Sequence, residues 1–307
     1  MTEIPLSVVI CTHNPRPAWI ARVLEALRAQ TLPKEQWELI VVDNRSADPL
    51  AARLDLAWQP AGRVVREETL GLTPARLRGI REARGELLVF VDDDNLLDPD
   101  FLEQALRIAA ERPWLGAWSG QALGEFEREP PEWALRYLGN LAIREVASDV
   151  WSNLPHLPET IPCGAGLCLR RAAAMHYLIL NDSGKRRIQL DRTGKSLISG
   201  GDNDLAACAC DIGLGLGVIA ALRLRHLIPA ERLTPEYQER LAEGIYYSAV
   251  ILAYLRGEAS RVEAFRVRWP HIARALLARG VHRRIQLACL RGRRKALAVL
   301  AKLPPNA

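Results

Sequence analysis

The chain has 307 residues, of which 49% are hydrophobic and 25% charged, and a net charge of +5. That composition excludes a disordered or collagen-like chain and suits about two globular domains. No apolar run approaches the roughly 18 residues of a membrane-spanning helix. The opening MTEIPLSVVI lacks the basic start and long apolar core of a secretory signal, so a cytosolic protein is expected.

Leu6–Cys11 is a β-branched apolar run that predicts a buried strand, broken by Thr12-His13-Asn14-Pro15. Trp19–Gln30 places Ile20, Val23, Leu24 and Leu27 on one helical face. Leu39–Val42 is a second strand ending at Asp43-Asn44, and Arg63–Arg66 a short third. Pro74–Ala83 reads as a basic helix, Leu87–Val91 as another buried strand, and Pro99–Arg112 as a helix bounded by prolines. This alternation predicts a mostly parallel sheet flanked by helices. Ligands of such sheets bind beyond the carboxyl ends of the strands. Thr12, Asp43 and Asp92, which end three strands, should therefore share one edge.

Residues 125–160 are irregular and rich in Pro, Trp and Glu. Gly164–Arg171 reads as a strand entering a helix, 181–199 as a polar loop or hairpin, and Asp204–Cys210 as a helix. Gly213–Gly217 (GLGLG) does not match the spacing of a dinucleotide-binding loop. Residues 228–237 read as a loop with two prolines, and helices follow to the end. This places a domain line after residue 237, with 1–237 as the α/β body and 238–307 as a basic helical region.

The six cysteines (Cys11, Cys163, Cys168, Cys208, Cys210 and Cys289) fit no zinc or redox spacing and are expected as buried thiols. From Arg256 onward there are 13 Lys or Arg and 2 Asp or Glu, whereas residues 1–255 hold 28 basic and 34 acidic side chains. Such a tail suits an anionic membrane surface; packing on an acidic partner or on the acidic body is the other reading. No aromatics interleave the charges for stacking, which argues against nucleic acid.

Asp92-Asp93-Asp94-Asn95 carries the strongest chemical signal. Three adjacent carboxylates repel one another, and Mg²⁺ or Mn²⁺, which also binds substrate phosphates, relieves that repulsion. A solvated turn capping the next helix is the alternative. Asp43 suits a nucleotide base or ribose, or else an Asx-turn. Arg76 suits a diphosphate, while Arg78 and Arg81 read as a solvated face. In Gly200-Gly201-Asp202-Asn203-Asp204 one aspartate caps a helix and the other is a candidate general base. His226 becomes a candidate metal ligand if the triplet binds metal.

In order, SVVICTHN, LIVVDNRS, GLTPARLRGIREARGELLVFVDDDN, GAGLCLRR, SGGDNDLA and RHLIPAERL resemble the inverting family 2 glycosyltransferases, over roughly residues 6–235. The resemblance implies the GT-A fold: an α/β, Rossmann-like, mostly parallel sheet flanked by helices, here with a helical C-terminal appendage. It implies transfer of a sugar from a nucleotide diphosphate sugar, a UDP-sugar foremost, to a glycan or lipid-linked acceptor. It also implies a Mn²⁺ or Mg²⁺ cofactor and work in polysaccharide or glycolipid synthesis, at the inner face of the membrane if the tail binds there. Thr12 and Asp43 would hold base and ribose, with Asn44 beside them, and Arg76 would lie near the base or diphosphate. Asp92 and Asp93 would face the donor, and Asp94 the metal with His226. Asp202 would be the base, with Asp204 still in play. Two departures stand out: Leu77 where many members have Asn, and Gly201 where many have Glu. A sugar nucleotidyltransferase and a catalytically silent binding subunit are the rival readings.

Overall fold

The computed structural model describes residues 4–184, 188, 190–191 and 197–302. Much of the stretch 181–199, expected as a loop or hairpin, lies outside the described residues.

Four strands form a parallel ladder: β1 (Leu6–Thr12), β2 (Trp37–Asp43), β3 (Gly62–Arg66) and β4 (Leu87–Val91), in the order β3-β2-β1-β4. Two helices connect them, α1 (Pro17–Arg28) and α2 (Leu72–Glu82). Pro17 starts α1 because its fixed φ suits the first helical turn, where no amide partner is needed. Successive strand side chains point to opposite faces. Leu6, Val8 and Ile10 accordingly pack in one core with Ile20, Val23, Leu24 and Leu27 of α1. Val9, Ile40 and Val42 pack in a second core with Ala75 and Ile80 of α2. The sheet is thus dry on both faces, as a parallel sheet requires.

Beyond the aspartate triplet the sheet is extended by antiparallel strands. These are β5 (Asn95–Leu97), β6 (Leu115–Phe126), β7 (Val150–Ser152), β8 (Leu167–Arg170) and β9 (Gly215–Ile228). The order runs β4-β8-β6-β9-β5, with β7 paired to β9. α3 (Phe101–Glu111), α4 (Arg171–Asp182) and α5 (Gly201–Asp211) flank this half. The sequence reading did not anticipate β5, β6 or β7. The GLGLG segment runs into the start of β9.

Two compact units emerge: Met1–Glu125 with Ala142–Lys185 and Asp202–Ile228, and Phe126–Leu141 with Arg186–Gly201 and Pro229–Ala307. The second contains α6 (Pro235–Leu255), α7 (Ala259–Ala264), α8 (Trp269–Leu277) and α9 (Gly280–Leu300). The domain line drawn after residue 237 falls inside α6, which begins earlier than the two prolines suggested. Pro235 occupies its first turn and the Thr234 hydroxyl accepts the Tyr237 amide at 3.3 Å. α9 lies along α6. Arg284 pairs with Glu236 and Glu239 at 3.1 and 3.0 Å, Arg291 with Glu239 and Glu243 at 2.6 and 2.9 Å, and Lys295 with Glu243.

Candidate functional site

Strand register gathers the polar strand ends. Thr12 is level with Asp43, Asp43 with Arg66, and Ile10 with Val91, so the triplet leaves β4 next to the end of β1. The Thr12 hydroxyl donates to Asp93 Oδ2. One sheet edge therefore carries Thr12, Asp43 and the triplet together, as expected.

Asp43 is buried and works hard locally. Its Oδ1 accepts the Ser46 amide at 2.9 Å, and its Oδ2 accepts the Leu50 amide at 3.1 Å and Arg66 Nη1 at 2.8 Å. Burial alone would raise its pKa. Hydrogen bonds from the Ser46 hydroxyl and amide, the Leu50 amide and Arg66 outweigh it and hold the carboxyl below the usual Asp range. Asn44 is likewise engaged: its Oδ1 accepts the Gly71 amide at 2.8 Å and its Nδ2 donates to the Glu67 and Thr69 carbonyls at 3.3 and 2.7 Å. These bonds fix the segment that opens α2. Asn14 ties the β1 and β2 loops together: its amide donates to Ser46 Oγ and its Oδ1 accepts the Ala47 amide, both at 2.9 Å. Ser46 and Asn14 escaped the sequence reading, because a Ser or Asn in a loop carries no signal of its partner.

The triplet forms a tight turn in which Asn95 N–H reaches the Asp92 carbonyl at 3.1 Å. Asn95 Nδ2 then donates to Asp94 Oδ1 at 3.0 Å. β5 pairs with β9 so that Asn95 faces His226, and the Leu227 amide donates to the Asp94 carbonyl at 2.8 Å. This pairing brings His226 Nε2 to 3.3 Å from Asp94 Oδ2, both side chains being 8% exposed. A carboxylate and an imidazole are donors that Mn²⁺ accepts, and the fit is that of a two-ligand corner. Among the described residues no group of three His, Cys, Asp or Glu side chains converges to hold a metal.

Asp202 lies in the first turn of α5, one residue after its start at Gly201 and so near the N-cap. Its Oδ2 accepts the Gly164 amide at 2.8 Å and its Oδ1 the Asn203 amide at 3.0 Å. Asp202 is half-buried, whereas Asp204 is 2% exposed. A Cβ on Gly164 would lie 3.1 Å from both Asp202 Oδ2 and Arg76 Nη2. The guanidinium of Arg76, itself 5% exposed, thus converges with the Asp202 carboxylate at this glycine. Burial, followed by the nearby Asp202 charge, pushes the Cys163 thiol up and keeps it a poor nucleophile. All six cysteines are free. Arg78 pairs with Glu82 at 2.8 Å and Arg81 with Asp182 at 2.7 Å, leaving Arg76 as the inward-facing arginine of α2. At Gly201, a Cβ would fall well inside 3.0 Å of all three carboxylate atoms of Asp191. No larger residue, Glu included, fits there while Asp191 holds its place.

A cavity of about 330 Å³ lies between α1 and residues 50–58, lined by Leu24, Leu54 and Trp58 among others. None of the candidate catalytic, donor-binding or metal-binding residues lines it.

Residues 7–158 match the profile described as Glycosyl transferase family 2. The chain is 36% identical over 111 residues to EpsH of Bacillus subtilis strain 168, a glycosyltransferase by name, a match covering 34% of this chain and 30% of that one. It therefore spans under a third of that relative. Its fold is similar to that of TarS 1–349 from S. aureus in complex with UDP-GlcNAc, at a TM-score of 0.53 and 18% identity over 82% of this chain and 71% of that one. It is similar also to the mannosyltransferase PcManGT of Pyrobaculum calidifontis in complex with GDP-Man and Mn²⁺, at a TM-score of 0.53 and 20% identity over 98% and 76% of the two chains.

Proposed function

Because the chain belongs to glycosyl transferase family 2 and has the GT-A fold, we propose that it transfers one sugar from a nucleotide diphosphate sugar to an acceptor hydroxyl with inversion. The observation that carries this reading is the convergence of Thr12, the Asp92–Asp94 turn and His226 at one end of the parallel strands. A UDP-sugar is the foremost donor on the family resemblance; proteins of similar fold are seen with UDP-GlcNAc and with GDP-Man.

In this mechanism the β1 and β2 ends seat the nucleotide. Asp43 holds the loop at Ser46 and Leu50, Asn44 holds the start of α2, and Thr12 steadies Asp93. Asp92 and Asp93 face the donor. Asp94 and His226 would hold Mn²⁺ or Mg²⁺, which when bound supplies positive charge to the departing diphosphate. Arg76 adds a fixed guanidinium beside Gly164. Asp202 takes the acceptor's proton at a carboxylate oxygen as that hydroxyl attacks the anomeric carbon from the far side. Asp202 suits the role better than Asp204, because the Gly164 amide aims its carboxylate and its exposure lets an acceptor reach it.

A glycan or lipid-linked saccharide is the acceptor in this reading, and the surplus of Lys and Arg after Arg256 supports work at the inner, anionic face of a membrane. A screen of nucleotide sugars for thermal stabilisation, with and without Mn²⁺, followed by mass analysis of released nucleotide, tests the transfer reading. One diphosphate sugar should stabilise the protein only with Mn²⁺ and yield nucleoside diphosphate. Pyrophosphate release from triphosphates would overturn it.

A further inference from the structure

We infer that the outward face of α8 is a docking surface for an anionic lipid bilayer. The inference rests on the membrane placement proposed above and narrows it from the whole basic tail to nine residues. A surface helix ordinarily turns its apolar stripe inward and its polar residues to water. α8 departs from this rule. Its buried side is supplied by Ala275, fully buried, with His271 and Ile272 half-buried beside it. The side facing water carries Trp269 at 72% exposure, Leu277 at 82% and Leu276 at 49%, with exposed Pro270 between them. At 100° per residue Trp269, Leu276 and Leu277 fall on one arc of the helix.

The charges around that arc are positive apart from one carboxylate. Arg266 and Arg268 precede α8 and share a single carboxylate, Glu263. Arg274 lies within it, and Arg279 and Arg283 follow it; all three are exposed and make no ion pair among the described residues. No Asp or Glu occurs in the sequence after Glu263. By contrast, Arg284, Arg291 and Lys295 of α9 are already matched by Glu236, Glu239 and Glu243 of α6. The tail's charge is therefore divided between an internal share on α9 and an outward share around α8. An exposed Trp-Leu-Leu face ringed by arginines fits the boundary between anionic headgroups and acyl chains, where indole and guanidinium groups are both favoured. No described helix is long and apolar enough to cross a membrane, so α8 would lie in the plane of the interface.

The test is flotation of the full chain with vesicles of phosphatidylcholine containing phosphatidylglycerol, against vesicles of phosphatidylcholine alone. The parent protein should float only with the anionic vesicles, and less so as salt is raised. W269S/L277S should need at least about tenfold more lipid for half-binding, since two large apolar side chains no longer bury. Its melting temperature should stay unchanged, because both side chains already face water. Brominated lipid should quench the fluorescence of the parent more than that of W269F, placing Trp269 itself in the bilayer. Parent protein that ignores anionic vesicles overturns both the α8 assignment and the membrane placement, leaving sugar transfer standing. Parent and W269S/L277S that float alike overturn the α8 assignment alone. So does a lipid-free parent dimer that W269S/L277S converts to monomer, since the face would then be covered by a second copy.

Discussion

Replacing Gly201 by alanine asks what holds the residue just before the candidate base. A Cβ there would enter well inside 3.0 Å of Asp191 Cγ, Oδ1 and Oδ2, and Asp191 is only 6% exposed, so its carboxylate has little room to swing aside. Overpacking of this kind costs about 1–3 kcal/mol. Asp191→Ala empties the same space, so in that background Gly201→Ala should cost almost nothing. The double-mutant cycle should accordingly give a favourable coupling of about 1–3 kcal/mol, read from urea midpoints of the four proteins. Gly201→Glu, the residue the family resemblance implies at this position, should be at least as destabilising and should be relieved by the same partner change. Costs that add to within about 0.5 kcal/mol would mean that Asp191 does not occupy the Gly201 site, and the explanation for the missing Glu would fail.

Asp202→Asn keeps the size of the side chain and an oxygen for the Gly164 amide but removes the proton acceptor. Turnover should fall about 10²–10⁴-fold, a barrier rise of about 3–5 kcal/mol, and activity within threefold of the parent would refute the role. Asp94→Ala should abolish the Mn²⁺-dependent part of UDP affinity measured by calorimetry, and His226→Ala should weaken it; unchanged titrations would remove the corner from the mechanism. Asp43 is held below the ordinary Asp pKa in the folded chain, so its ionised form contributes stability above about pH 4 that is lost as pH falls through the folded value. The melting-temperature gap between the parent and Asp43→Asn should therefore be widest near neutrality and close below about pH 4; a gap independent of pH would contradict the hydrogen-bonded carboxylate.

The parallel half of the fold was legible because its signal is dense. LSVVIC, LIVV and LLVFV are buried on both faces, so their sequences are apolar except for Ser7, and they reappear within β1, β2 and β4, with β2 extending to Trp37 and Asp43. The antiparallel half was not, for opposite reasons in different strands. β6 mixes Gly116, Ser119, Gly120 and Gln121 among its apolar positions, so neither a continuous run nor an alternation stands out. β5 and β7 have three residues each, too few to show a period. In β9 only Ala221–Arg225 alternates visibly, because the strand's first residues are buried on both sides.

The site divides along the same physical line. A carboxylate cluster at a strand terminus announces itself, since three adjacent like charges repel one another and stand out in the sequence. The partners that make it usable do not, because they are set by pairing across 38 to 132 positions of sequence: Gly164 to Asp202, and Asp94 to His226. His226 looks like an unremarkable residue of an alternating strand until β5 pairs with β9 and puts Asn95 opposite it. Gly164 looks like any glycine before a strand until its amide meets Asp202 and its bare α-carbon admits Arg76. Even the residues that were recognised change meaning in three dimensions. Asp43 reads from the sequence as a nucleotide contact or an Asx-turn and Asn44 as a donor contact, and their hydrogen bonds go to the loops at Ser46, Leu50 and Gly71. A nucleotide seated on this edge would meet loops whose shape those two side chains enforce, so their replacement should weaken donor binding even where no atom of theirs touches the donor.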